Sequence, residues 1–486
     1  MPKKLVFRTL VTLTLTWAVW ATWSVLGAGA DVGVSVIDDV GLPVTGAEIH
    51  AGEDLLGVTG DDGRVTVSWS PGQTVFEVSA LGYPTLQLAV LEEPKAPIEA
   101  VLRAQLLRGR VLDDAGQPVE GAYVTAGPGT AVSDVEGRFT VRQAAPGPVN
   151  VWRPAWNGNT VNWQGGLGEE MITIAPQVMR AVHVGGEAAR DSWQFFVDIA
   201  NTTEINALML DLKDESGVVF YLSDVLTAQE VGATYDFYDL AALASDAHEE
   251  GIYLIGRIVA FQDPIASIRA PEMAVWDTEI DGPYAAGAQY FLDPTDPAAQ
   301  AYALDLAVEA CKAGVDEIQF DYVRFPDSRR ESARFDGGVT PEVRSVTTRD
   351  FLATAVAQLH PLGCAVAADI FGFLTRAVDD GGIGQKWETM TSVLDVASPM
   401  LYPSHYDSGW YGFDNPNDHP AELIGNALDD GLGRLSRQTV VRPWLQDFGY
   451  TPAQVRAQID EAEKRGLGWM LWNARSEVSV EALLSD

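Results

Sequence analysis

Glu317-Ile318-Gln319-Phe320-Asp321-Tyr322-Val323 is a short run in which apolar and polar side chains alternate. An amphipathic segment precedes it, opening at Asp296-Pro297, ending near Gly314 and carrying Leu304, Val308 and Cys311 on one face. A Pro just inside the start and a Gly just past the end are helix punctuation, so the pair reads as helix then strand. Seven more such runs flank it: Arg180–Val184, Ala207–Lys213, Ile252–Val259, Ala365–Phe371, Val393–Tyr402, Val440–Gln446 and Gly468–Asn473. Amphipathic stretches separate them, including one that opens at Thr451-Pro452, turns Val455, Ile459 and Ala462 inward and stops at Gly466. Eight strand-helix units in about 300 residues predict a TIM (β/α)8 barrel over 179–486. An open doubly wound sheet is the alternative, but no Gly-rich phosphate loop follows the first run.

Upstream of the barrel the sequence repeats itself. Ile37-Asp38-Asp39-Val40-Gly41-Leu42-Pro43-Val44-Thr45-Gly46-Ala47 returns as Leu112-Asp113-Asp114-Ala115-Gly116-Gln117-Pro118-Val119-Glu120-Gly121-Ala122. Asp62-Gly63-Arg64-Val65-Thr66-Val67 likewise returns as Glu136-Gly137-Arg138-Phe139-Thr140-Val141. Short alternating runs broken by Asp, Gly and Pro predict two small all-β sandwiches, over 31–105 and 106–178. The repeated pattern resembles the carboxypeptidase regulatory-like domains of secreted bacterial proteins, which implies a spacer more readily than a carbohydrate- or protein-binding module.

Residues 1–30 carry the marks of export. Lys3, Lys4 and Arg8 precede an uncharged run from Thr9 to Gly27, and Ala28-Gly29-Ala30 offers a cleavage site. The run is also long enough to stay as a single N-terminal membrane anchor, residues 9–27. Either outcome makes the protein secreted or extracytoplasmic. The chain holds 68 acidic against 32 basic residues, a formal charge of −36, so phosphate backbones are repelled and nucleic acid is excluded as a partner. Its 45 aromatic residues and 47% hydrophobic content exclude an acidic disordered chain. The two cysteines, Cys311 and Cys364, read as buried thiols more readily than as a disulfide. Six scattered histidines form no metal-ligand spacing, so no metal and no cofactor is expected.

Barrel chemistry sits at the C-terminal ends of the strands. The polar residues that close the runs are Asp211, Lys213 and Asp214 on the second, Arg257 on the third, and Asp321, Tyr322 and Arg324 on the fourth. Asp369 closes the fifth, Tyr402, His405 and Tyr406 the sixth, Trp444 and Gln446 the seventh, and Trp472 and Asn473 the eighth. Period-2 alternation separates interior from exterior. With Ile318 and Phe320 facing the helices, Gln319 and Asp321 turn inward. With Val366, Ala368 and Ile370 outward, Ala365 and Ala367 lie inside beneath Asp369. The same parity turns Asp211 and Lys213 inward. Asp321 and Asp369 then stand at equal height on neighbouring strands about 4.8 Å apart, a spacing suited to a pair of carboxyls that cleave a glycosidic bond. Tyr322, Tyr402, Tyr406, Trp410, Tyr411, Trp444 and Trp472 would offer flat faces to sugar rings. Arg257 and Arg324 would hold carboxylates and substrate, and His405 reads as a polar wall residue.

Five stretches carry a second resemblance: Asn206–Gly217 (NALMLDLKDESG), Asp316–Pro326 (DEIQFDYVRFP), Met400–Tyr406 (MLYPSHY), Arg442–Tyr450 (RPWLQDFGY) and Gly468–Ala474 (GWMLWNA). In this order they resemble the secreted bacterial family described as a putative glycosyl hydrolase domain. The resemblance covers about 179–480 and implies a (β/α)8 barrel distantly akin to the α-amylase type. By position it implies Asp321 as nucleophile and Asp369 as acid/base. The α-amylase type usually has Glu where this chain has Asp369, so a wider gap with an inverting mechanism, or Asp211 or Asp214 as the acid, stays open. The expected function is hydrolysis of a poly- or oligosaccharide; the alternative is a carbohydrate-binding surface protein without turnover.

Overall fold

The structure, a computed structural model, describes residues 30–484 apart from Ser328 and Arg330. The export segment and the 9–27 anchor lie outside the described residues. No helix among the described residues is long and apolar enough to cross a membrane. The described residues form two compact units, one holding residues 30–153 and Asn157–Ala175, the other Pro154–Trp156 and residues 176–484.

The first unit is all β. Its first repeat pairs Arg64–Trp69, Ala30–Asp38 and Ile98–Leu102 in one sheet, and orders Asp54–Val58, Glu48–Ala51, Val75–Ala80 and Tyr83–Ala89 in another. The second repeat gives the same arrangement with Arg138–Arg142, Leu106–Leu112 and Glu169–Thr173, and with Gly129–Val132, Tyr123–Ala126, Gly147–Trp152 and Asn159–Trp163. Local chemistry explains why these letters recur. Asp38 Oδ1 accepts from the amides of Val40 and Leu42, and Asp113 Oδ1 from those of Ala115 and Gln117, closing one turn twice. Gly63 and Gly137 both sit at φ 71°, where a Cβ would lie 2.5 Å from the Val36 carbonyl and 2.4 Å from that of Val111. Only glycine fits there.

The second unit is the expected barrel, closed by eight parallel strands: β1 Arg180–Val184, β2 Ala207–Lys213, β3 Tyr253–Val259, β4 Glu317–Asp321, β5 Ala365–Phe371, β6 Val396–Leu401, β7 Val440–Val441 with Trp444–Gln446, and β8 Trp469–Trp472. Their order is sequential, and β5 pairs with β6 as β8 pairs with β1, so no edge is left. Strand β7 is interrupted at Arg442-Pro443 because Pro has no N–H for the ladder. The main helices are α1 Gly186–Thr202, α2 Leu240–Glu249, α3 Pro264–Arg269, α4 Pro297–Lys312, α5 Pro341–Leu359, α6 Pro420–Leu432 and α7 Pro452–Glu463. Asp296 caps α4, accepting from the Ala299 amide at 2.8 Å, and Thr451 forms a capping box with Gln454 on α7. Caps of this kind contribute about 1 kcal/mol each.

Alternation sorts the core into two layers. Leu208, Leu210, Ile318, Phe320, Val366 and Ala368 face outward and pack with the helices. Ala181, Ala207, Met209, Ile255, Tyr402, Trp444 and Met470 fill the barrel interior. One expectation is corrected outside the site. Cys311 and Cys364 form a disulfide across a separation of 53 residues, with their Cα atoms 6.0 Å apart. The last turn of α4 runs beside the start of β5, a proximity that no local spacing reports.

Candidate active site

Strand β4 delivers its polar residues to the mouth by register. Phe320 pairs with Ala368, so Asp321 and Asp369 follow at the same level on adjacent strands. Gln319 pairs with Ala367, whose small side chain leaves room for the Gln319 amide to reach up to Asp369. The strand stops sooner than its apolar run because Tyr322 takes a left-handed backbone with φ 48°. For a non-glycine residue that costs roughly 1–2 kcal/mol. The strain turns the chain outward directly after the carboxylate, and the Tyr322 amide donates to Asp321 Oδ1 at 2.6 Å.

A cavity of about 640 Å³ opens above these strands. Arg257 is its buried anchor. Nε and Nη2 donate to Asp321 Oδ2 at 3.0 and 2.6 Å, and Nη1 donates to Asp211 Oδ1 at 2.8 Å. Nη2 also lies 3.4 Å from Glu215 Oε2. One guanidinium thus orients three carboxylates, each bond charge-assisted. Asp369 is held differently. Its Oδ1 accepts from Trp444 Nε1 at 2.5 Å and from Gln319 Nε2. Burial pushes the Asp369 carboxyl well above the usual carboxylate range, and the negative charge of Asp321 adds to the push. Burial also raises Asp211, but His183 and Arg257 outweigh it and bring that carboxyl down to about 2.

Aromatic side chains form the walls. Tyr322, Tyr402, Tyr406, Trp410, Trp444 and Trp472 all line the cavity, with Phe371 and Phe373 beside them. Gly372 is required in this wall, since a Cβ would stand 2.3 Å from the Met400 carbonyl and 2.5 Å from the Tyr406 hydroxyl. His405 lines the wall as expected, and burial lowers its pKa.

A family model described as "Putative glycosyl hydrolase domain" matches residues 181–478. The chain belongs to that family. No curated protein matches the sequence. Among solved structures, the chain is similar to a hypothetical protein from Ruminiclostridium thermocellum at 34% identity, covering 38% of this chain and 96% of that one, with a TM-score of 0.35. It is also similar to the PgaB glycoside hydrolase domain from Bordetella bronchiseptica, at 13% identity, 63% and 99% coverage and a TM-score of 0.45. The PelA glycoside hydrolase domain from Pseudomonas aeruginosa gives 12%, 62% and 98%, and 0.40.

Within this glycosyl hydrolase domain, eleven expected site residues line the cavity: Arg257, Asp321, Tyr322, Arg324, Asp369, Tyr402, His405, Tyr406, Trp410, Trp444 and Trp472. The Arg324 guanidinium lies against the rings of Tyr322, Phe371 and Phe291 at 4.8 to 5.4 Å. Six residues lie elsewhere. Asp211 sits beneath Arg257. Lys213 is corrected from barrel interior to outside the cavity: the register shifts between Asp211 and Lys213, so parity breaks. Its Nζ meets Asp263 Oδ2 at 3.0 Å and the Val259 carbonyl at 2.7 Å. Asp214 closes a turn, accepting from the Ser216 amide at 3.0 Å. Gln446 holds the loop after β6 through Ser404, and Asn473 Nδ2 donates to the Asp447 carbonyl at 2.7 Å. Tyr411 bonds Asp430 at 3.0 Å. Sequence reasoning quoted Glu215 within NALMLDLKDESG but stopped its set of strand-closing polar residues at Asp214, and it missed His183, the inward residue of β1, whose Nε2 is 2.9 Å from Asp211 Oδ2.

Proposed function

We propose that the chain hydrolyses glycosidic bonds of a polysaccharide, with Asp369 as acid/base and Asp321 as nucleophile. The observation that carries this reading is the unequal treatment of two carboxyls at one height: Asp369 is buried, bonded only by the neutral donors Trp444 and Gln319 and raised by burial beside a negative neighbour, while Asp321 is bonded twice by Arg257. Pairs whose environments push their protonation apart are what acid and nucleophile roles need. Both protein donors to Asp369 fall on Oδ1, which leaves Oδ2 to carry the proton. Oδ2–H gives that proton to the glycosidic oxygen, the C1–O bond breaks, and Asp321 Oδ1 attacks C1 to form a glycosyl ester. The leaving sugar departs with that proton; water then gives a proton to Asp369 as its oxygen bonds C1, the C1–Asp321 ester bond breaks, and the hydrolysed sugar leaves with Asp321 again a carboxylate. A strand spacing of about 4.8 Å supports a retaining rather than an inverting reading of such a pair.

The disulfide supports an oxidising, extracytoplasmic setting. The all-β unit fits a pair of carboxypeptidase regulatory-like spacers. The test is reducing-end release from a panel of bacterial and plant polysaccharides by the full chain and its Asp321→Asn form. Release by the wild type alone is expected. Retention of one polysaccharide by both proteins, without release by either, would replace hydrolysis with carbohydrate binding.

A further inference from the structure

Below the cavity, His183 is bonded through both ring nitrogens. Nδ1 is 2.8 Å from the Asn473 carbonyl oxygen, and Nε2 is 2.9 Å from Asp211 Oδ2. A carbonyl can only accept, and an ionised carboxylate can only accept. A neutral imidazole has one donor, so it could serve one of these partners and would set a lone pair against the other. Two donors are needed, which is the imidazolium, unless the proton moves to Asp211.

The surroundings decide where that proton rests. Asp211 Oδ1 already accepts from Arg257 Nη1 at 2.8 Å, and a guanidinium bonded to the carboxylate disfavours placing a proton on it. Its backbone carbonyl accepts from the Tyr238 hydroxyl at 2.5 Å. The ring of His183 stacks on Trp472 with centroids 4.2 Å apart, and the Arg257 guanidinium lies 5.0 Å from that same Trp472 ring. The electron-rich face of Trp472 against the imidazole favours its charged form. The charge count agrees. Asp211, Asp321 and Glu215 face one Arg257, so a second cation brings the cluster closer to balance. The groups that face His183 and its partner are therefore Asp211 from β2, Arg257 from β3 with Asp321 and Glu215 behind it, Tyr238, and Trp472 with the Asn473 carbonyl from the end of β8.

We infer that His183 is held as an imidazolium and that the His183–Asp211 pair is a positioning unit, which fixes Arg257 and through it the Asp321 carboxylate. The protonation of His183 stands by itself; the consequence for turnover rests on the role given to Asp321 above. His183 touches no reacting atom. It keeps Asp211 ionised and in place, so that Nη1 of Arg257 stays anchored while Nε and Nη2 hold Asp321 Oδ2.

The test begins with 15N-labelled imidazoles in the full chain, with the His183 resonances assigned from His183→Gln. At about pH 8, above the ordinary histidine range, both His183 nitrogens are expected to carry protons. A single protonated nitrogen at that pH overturns the inference. Asp211→Asn supplies a second arm, since an amide of the same shape no longer requires the second proton: His183 should become neutral, and a ring still doubly protonated in that variant also overturns the pairing. Once a cleaved polysaccharide is in hand, His183→Gln should lower kcat about 10- to 100-fold, the scale of orienting partners behind a site, with KM little changed and the alkaline limb of the rate profile moved. An unchanged kcat in a folded His183→Gln protein would overturn the positioning role and leave the nucleophile assignment standing.

Discussion

Glu317 and Asp321 lie four residues apart on β4, face the same barrel interior and each meet an arginine, yet the two ends of the strand treat them differently. At the floor, Glu317 pairs with Arg442 and takes the Tyr253 hydroxyl at 3.3 Å, with no exposed surface. At the mouth, Asp321 pairs with Arg257 in a cluster with more acids than bases, open to a cavity. The floor pair is matched one to one and sealed. The mouth pair is unbalanced and open on one side, and burial together with the negative charge of Asp321 raises the next carboxyl, Asp369. Height in the barrel, and not residue type, separates a charge that holds the fold from a charge that can do chemistry.

Substitutions at the two ends should therefore have opposite signatures. The largest effect is expected at the mouth, where Asp369→Asn should lower kcat by about 10²–10⁴-fold. The same change should stabilise the protein at neutral pH. A carboxyl whose native pKa is raised adds stability below its unfolded value and loses it as pH climbs through the native one. The wild type should gain stability as pH falls from neutrality toward about 4, and Asp369→Asn should lack that gain, as thermal melts across pH can check. At the floor, Glu317→Gln should leave Arg442 buried without its counter-charge and cost about 3–5 kcal/mol in denaturant unfolding. Its folded fraction should keep its KM and kcat.

Smaller effects sharpen the contrast. Replacing Cys311 and Cys364 by Ser opens a loop that contains all of β4, and should cost about 2–4 kcal/mol of global stability. Since neither sulfur approaches the cavity, activity at moderate temperature should persist. Asp214→Asn keeps the turn acceptor and should shift stability by no more than about 0.5 kcal/mol with kcat unchanged. A large loss of rate there would restore Asp214 as a candidate acid and break the distinction between cavity and turn.

Much of this was legible in the sequence because a barrel strand is read by parity. Ile318 and Phe320 against Gln319 and Asp321 fixed which side was interior, and the Ala365-Val366-Ala367-Ala368-Asp369 run did the same for β5. Parity failed where the ladder was irregular. Lys213 follows a register shift after Asp211 and leaves the interior, which an unbroken period-2 reading cannot report. His183 escaped notice because its partners are an acid from β2 and a carbonyl after β8, brought together only when the barrel closes. The disulfide escaped for the same reason, its cysteines lying on a helix end and a strand start 53 residues apart.

The central claim is that one of two neighbouring carboxyls stays protonated while the other is charge-paired. It is tested most directly by following the 13C carboxyl resonance of Asp369, assigned from Asp369→Asn, through a pH titration. The account predicts that Asp369 ionises only well above the usual carboxylate range, as a raised acid should. A carboxyl that ionises within the usual range would contradict it.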